Sequence, residues 1–168
     1  YANENMSYWF YNLKYVDSVN GIELMDTSLT TNMSSMFDAM GYESSKLKLD
    51  VSSFDTGNVT TMTGMFRSTG YKSSVFTLDI TGFDTKNVKD MSYMFHQTGC
   101  QSSELLLDVS GFITDNVTNM AGMFRYAGYQ SKNFALDLKS FNTSNVTNMT
   151  GMFYSTGYNN LEDERHDE

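Results

Sequence analysis

The stretch NVTTMTGMFRSTGY, residues 58–71, sets two methionines, a phenylalanine and a glycine–tyrosine pair among small polar residues. It returns as NVKDMSYMFHQTGC from Asn87, NVTNMAGMFRYAGY from Asn116 and NVTNMTGMFYSTGY from Asn145, with a rougher version, LTTNMSSMFDAMGY, from Leu29. The steps 87 − 58, 116 − 87 and 145 − 116 are each 29. A fixed period of this size is the mark of a repeat array in which each unit buries its apolar face against its neighbours.

Within one unit, apolar residues alternate in LKLDV at Leu47, FTLDI at Phe76, LLLDV at Leu105 and FALDL at Phe134. Period-two alternation predicts a strand with one buried face. Its outward positions form rows from unit to unit. Lys48, Thr77, Leu106 and Ala135 make one row, and Asp50, Asp79, Asp108 and Asp137 the next. A third row, Ser52, Thr81, Ser110 and Lys139, follows, while Phe54, Phe83, Phe112 and Phe141 turn back toward the core.

Met62, Met65 and Phe66 lie at i, i+3 and i+4, as do their counterparts in later units, which predicts one face of a short helix of one or two turns. Thr, Ser and Gly around them are poor helix formers, so nothing longer is expected. Glycines 41, 70, 99, 128 and 157 suit a left-handed cap or turn. The methionines read as core side chains that let imperfect repeats stack, in preference to a metal or cofactor box. Asn58, Asn87, Asn116 and Asn145 read as a structural ladder first, although several fall in glycosylation-like triplets.

Composition narrows the function. The chain has 168 residues, 40% of them hydrophobic, and a net charge of −9 that argues against a nucleic-acid partner. The tail LEDERHDE carries five acids and one arginine, a net of −4, leaving −5 for residues 1–160. A single cysteine, Cys100, excludes an intrachain disulfide and stands where other units have tyrosine, so it reads as a packing residue. No apolar run approaches the roughly 18 residues of a membrane span, so no membrane insertion is expected. His96 and His166 do not recur with the period, and no nucleophile arrangement accompanies them, so an enzyme is not expected.

These readings combine into an α/β, leucine-rich-repeat-like solenoid of about five coils, with one short strand and one short helix per coil. Residues 1–160 form the single repeat domain. Residues 1–32 are an atypical N-terminal capping coil, since Met6 to Met33 is 27 residues and Trp9 replaces the usual methionine. Residues 161–168 are an acidic tail or an appended remnant.

The run LDVSSFDTGNVTTMTGMF, Leu49 to Phe66, resembles the bacterial surface repeats called BspA-like leucine-rich repeats, or DUF285. The order leucine-aspartate, phenylalanine, aspartate-threonine, asparagine-valine and methionine with methionine-phenylalanine is matched four times, within residues 29–158. Ile113 and Asn142 depart from it, standing where Asp55 and Asp84 stand in their units. The resemblance implies a solenoid on a bacterial surface or secreted, in proteins linked with adhesion, and brings no agreed catalytic residues.

The expected function is an extracellular, non-enzymatic, adhesin-type module that recognises a host or partner protein or a glycan through its strand face. The candidate residues are Lys48, Asp50, Thr77, Asp79, Thr81, Asp108, Ser110, Asp137 and Lys139. No cofactor is expected. The weaker alternative for the aspartate row is a shared cation such as calcium; hydrogen bonding inside each coil is favoured over it. The rival function is a structural spacer or self-assembling filament subunit joined through coil ends. A third idea, a flat water-ordering face built on Thr56, Thr85, Thr114 and Thr143, is disfavoured by interspersed charged and bulky residues.

Overall fold

A computed structural model describes residues 3–132 and 134–158. The alternating stretches form three strands, β1 (Lys46–Asp50), β2 (Val75–Asp79) and β3 (Glu104–Leu106), in one parallel sheet of order β1-β2-β3. Lys46 pairs with Val75 and Asp50 with Asp79, then Val75 with Glu104, so each partner lies one 29-residue period away. Leu47, Leu49, Phe76, Leu78 and Leu105 point inward and are buried, while the residues between them face solvent.

The α/β solenoid with a strand and a helix in every coil is overturned. Among the described residues there is no α-helix, only a three-residue 3-10 turn at Ile22–Leu24. Residues 134–138, the FALDL stretch, belong to no strand, although Leu136 and Leu138 still pack against the core. Sheet pairing fades toward the C-terminal coils, and most of each coil is turn.

Hydrogen bonding explains why the helical spacing misleads. In an α-helix every interior N–H donates to the carbonyl four residues back. Here the N–H groups of Met65, Arg67 and Thr69 donate three residues back, to Met62, Gly64 and Phe66, at 3.0–3.1 Å. The intervening N–H groups of Met62, Gly64, Phe66 and Ser68 leave the coil and donate to Asp90, Ser92, Met94 and His96 at 2.7–3.0 Å. Successive reverse turns therefore alternate with bonds to the next coil, and i, i+3, i+4 residues share an inward face without a helix.

Backbone angles enforce the alternation. Gly64 and Ser68 have φ of +59° and +55°, the left-handed conformation that a turn accepts and an α-helix does not. Tyr8, Ser35, Tyr93, Gly122 and Gly151 repeat the first position, and Asn12, Ala39, Gln97, Tyr126 and Ser155 the second. Gly70 and its counterparts, including Gly41 and Gly99, are also left-handed, as turn residues and not as helix caps.

Inside the stack, phenylalanine rings form a ladder. Phe10, Phe37, Phe66, Phe95, Phe124 and Phe153 stack nearly parallel, with centroids 5.2–5.7 Å apart. Phe54, Phe83 and Phe112 lean against Phe37, Phe66 and Phe95 from the sheet side at 6.2–6.3 Å. Met62, Met65, Met91, Met94, Met120 and Met123 are fully enclosed. Dense apolar packing is the main favourable term in such a column, since the turns alone hold few residues in regular structure.

Polar side chains close the gaps between coils. Thr27, Thr56, Thr85 and Thr114 are buried; each hydroxyl donates to one next-coil carbonyl, of Asp55, Asp84, Ile113 and Asn142 in turn, at 2.9–3.1 Å. The N–H of that same residue donates back to the hydroxyl at 2.7–2.8 Å. Thr56, Thr85 and Thr114 therefore cannot form a water-ordering face. The Nδ2 groups of Asn58, Asn87, Asn116 and Asn145 donate to carbonyls of the preceding coil at 2.7–2.8 Å, which gives the asparagine column its structural role.

The first coil joins the second through the N–H groups of Met6, Tyr8, Phe10 and Asn12, which donate to Asn32, Ser34, Met36 and Asp38. It contributes no strand, touching the sheet at a single bridge between Ser18 and Lys48. The acidic segment 161–168 lies outside the described residues. Among the described residues no helix is long and apolar enough to cross a membrane.

Candidate binding face

The sheet holds the first part of the outward rows at fixed spacing, because parallel pairing sets Lys48 beside Thr77, Thr77 beside Leu106 and Asp50 beside Asp79. Adjacent strands lie about 4.8 Å apart, so neighbouring carboxylates repel unless each is engaged. Each aspartate is engaged within its own coil. Asp50 Oδ1 accepts from the N–H and hydroxyl of Ser52 at 3.1 and 2.7 Å, and Asp79 from Thr81 at 3.1 and 2.8 Å. Asp108 accepts from Ser110 at 2.9 and 2.6 Å, and Asp137 from the N–H and ammonium of Lys139 at 3.1 and 3.2 Å.

These bonds stabilise the charged form. Side-chain hydroxyl donation first, then the backbone N–H, lowers the Asp50 and Asp108 carboxyls below the usual range. For Asp137 the Lys139 N–H contributes most, ahead of the ammonium. The residue two positions on thus locks each acid through Oδ1, and Oδ2 of Asp50, Asp79 and Asp108 has no hydrogen-bond partner among the described residues. Among the described residues no group of three or more His, Cys, Asp or Glu is placed to hold a metal ion.

Shallow depressions run along this face. One of about 330 Å³ lies against the first coil and is lined by Lys48, Asp50 and Ser52 together with Asn20 and Glu23. A smaller one lies among Thr81, Asp108 and Ser110. A third, about 550 Å³, opens beyond β3, between Leu106 and Asp108 on one side and Ala135, Asp137 and Lys139 on the other. It exists because residues 134–138 do not pair with the edge of β3. Leu106 is 77% exposed at its rim, an apolar contact point beside two carboxylates.

The sequence rows thus lie on one surface: Thr77 and Asp79 at the sheet centre, the other seven candidates in the three depressions. Cys100 is buried beside Tyr71; burial raises the thiol and is the main cause pushing the Tyr71 hydroxyl up to about 12.

Sequence reasoning missed a second grouping, on the turn side of the coils. Asp38, Arg67, His96, Arg125 and Tyr154 occupy one repeat position, each 29 residues from the last. Arg67 donates to the buried Asp38 at 2.6 and 3.0 Å. Reading down the period column by column, not only along the apolar rows, would have found it.

Stacked parallel coils of 29 residues, tied by turns and alternating inter-coil hydrogen bonds, define a repeat protein with one sheet face. The chain belongs to the family described as Mycoplasma protein of unknown function, DUF285, whose model matches residues 4–127 and 100–165. Comparison with curated proteins and with solved structures gives no match.

Proposed function

We propose that this chain is a non-enzymatic, extracellular binding module of the adhesin type, of bacterial surface or secreted origin, which contacts a protein or glycan through its sheet face. The carrying observation is the aspartate row: four carboxylates at the same repeat position, Asp50 and Asp79 paired in the sheet, each tied by Oδ1 to the residue two positions on. Acceptors ordered before binding lose little freedom when a ligand's hydroxyls or amines arrive. Around them Lys48, Thr77, Leu106 and Ala135 change from coil to coil, which is how repeat arrays tune an extended surface. The motif order that resembles BspA-like leucine-rich repeats supports the adhesin reading. No cofactor is required by this reading, and among the described residues no assembled ligand set recommends calcium.

The test is a glycan and host-protein array probed with wild type and with Asp79→Asn/Asp108→Asn. Asparagine keeps the turn acceptor and removes the charge, so the fold stays while the face changes. A ligand held by wild type and lost by the double variant supports the proposal; undiminished binding sinks it.

A second reading is a spacer or filament subunit joined through coil ends. Concentration-dependent assembly in sedimentation velocity favours this reading; a monomer at every concentration removes it.

A further inference from the structure

We propose that Arg125 and His96, framed by Tyr93, Tyr126 and Tyr154, form a second binding site, for the carboxylate of an acidic sugar. The site is separate from the sheet face and lies on the turn side of coils whose repeat position runs Asp38, Arg67, His96, Arg125, Tyr154. Asp38 and Arg67 neutralise each other. The next two steps, His96 and Arg125, have no carboxylate between them, and neither makes an ion pair among the described residues. In a chain of net charge −9, this column is a local reversal of sign.

Among the described residues the Arg125 side chain is held by rings and makes no hydrogen bond. Its guanidinium carbon lies 4.8 Å from the Tyr154 centroid and 5.4 Å from that of Tyr126. Its Nε is buried with no partner. A guanidinium has five N–H donors in a planar fork suited to a carboxylate, and stacking on aromatic faces leaves that fork pre-positioned. Gly151 stands beside Nη1, where even an added Cβ would stay 3.9 Å away, so no side chain fills that flank.

Ligand class follows from charge and shape. With Arg67 paired, one full positive charge remains open among the described residues, which matches a monoanionic carboxylate better than a dianionic phosphate. Tyr93 and Tyr154 are 41% and 56% exposed, and their rings offer apolar surface to the C–H face of a pyranose. His96 sits between Tyr93 and Tyr126, with centroids at 5.7 and 6.2 Å. Burial first, and then Arg125 and Arg67, hold its imidazole down to about 4, so it is neutral at physiological pH. A bound carboxylate offsets the Arg125 guanidinium and favours protonation, so affinity rises as the medium is acidified below the ordinary histidine range.

The experiment titrates the full chain with sodium glucuronate, sodium acetate and glucose, reading the His96 ring and tyrosine signals by NMR. Expected are saturable shifts with glucuronate and binding roughly tenfold weaker or worse with acetate and with glucose. Arg125→Met should lose glucuronate roughly tenfold or more, while Asp79→Asn/Asp108→Asn leaves it unchanged, which separates this site from the sheet-face reading. Should Arg125→Met fail to fold, Tyr154→Ala, which removes an exposed ring, must weaken glucuronate. Unmoved His96 signals, acetate binding equal to glucuronate, or full affinity in a folded Arg125→Met or Tyr154→Ala protein overturns the proposal.

Discussion

Removing one rung from the phenylalanine ladder should cost far more in the middle of the stack than at its end. Phe95 is fully buried, stacked on Phe66 and Phe124 at 5.7 and 5.6 Å and touched by Phe112 at 6.3 Å. Phe95→Ala loses the transfer energy of a whole ring and leaves a cavity between two coils, about 3–5 kcal/mol. Lost ring-to-ring contacts push the value toward the upper end. Phe153 occupies the same repeat position but is 45% exposed and meets Phe124 alone in the ladder. About half its ring surface is buried, so Phe153→Ala should cost about 1–2 kcal/mol. Urea unfolding followed by circular dichroism and tyrosine fluorescence measures both. Equal losses for the two variants would refute a continuous ladder, because the inner ring would then carry no more packing than the outer one.

Glycine position offers a sharper contrast. A Cβ at Gly82 would lie 1.8 Å from the Ser52 carbonyl oxygen, whereas one at Gly111, the same repeat position, meets nothing within 4 Å. Gly82→Ala should therefore destabilise by more than about 2 kcal/mol, and Gly111→Ala should be neutral or stabilising by up to about 1 kcal/mol, as read by thermal melting. Thr85→Val removes a hydroxyl that both donates to and accepts from Ile113, leaving those backbone groups unpaired; a loss of about 1–3 kcal/mol is expected, with Thr85→Ser close to wild type and Ile113 amide exchange as the local readout. His96, neutral in the fold with its pKa lowered to about 4, contributes stability that is present above its ordinary value of 6.5 and lost as pH falls through about 4. Unfolding curves across that window should steepen with acid for wild type and flatten for His96→Gln. The raised Asp38 carboxyl works in the opposite sense, present at low pH and lost as pH rises, and remains in both proteins.

The period, the strand alternation and the inward faces of Met62, Met65 and Phe66 were legible because burial repeats with the chain. Turn geometry was not. A residue at i+3 or i+4 is buried alike by a helix and by a run of reverse turns, and spacing alone does not separate them. The discriminating signal was present in Gly64, Gly122 and Gly151, which sit between the two methionines where a helix would gain nothing from glycine. Non-glycine Ser35 and Tyr93 at that position hid the pattern. The strand expected at Phe134 fails for a reason outside its own alternation, since a strand needs a paired neighbour and residues 134–138 lie away from β3. Rows on the sheet face were readable for the same reason as the core. The Arg67–His96–Arg125 column escaped notice because its residue types change at each step.

A trans-hydrogen-bond scalar coupling from the Phe66 amide decides the architecture most directly. Alternating turns with bonds between coils predict a correlation to the carbonyl of Met94, the 2.9 Å partner in the following coil. A correlation to the Met62 carbonyl, four residues back as in a helix, would contradict the account.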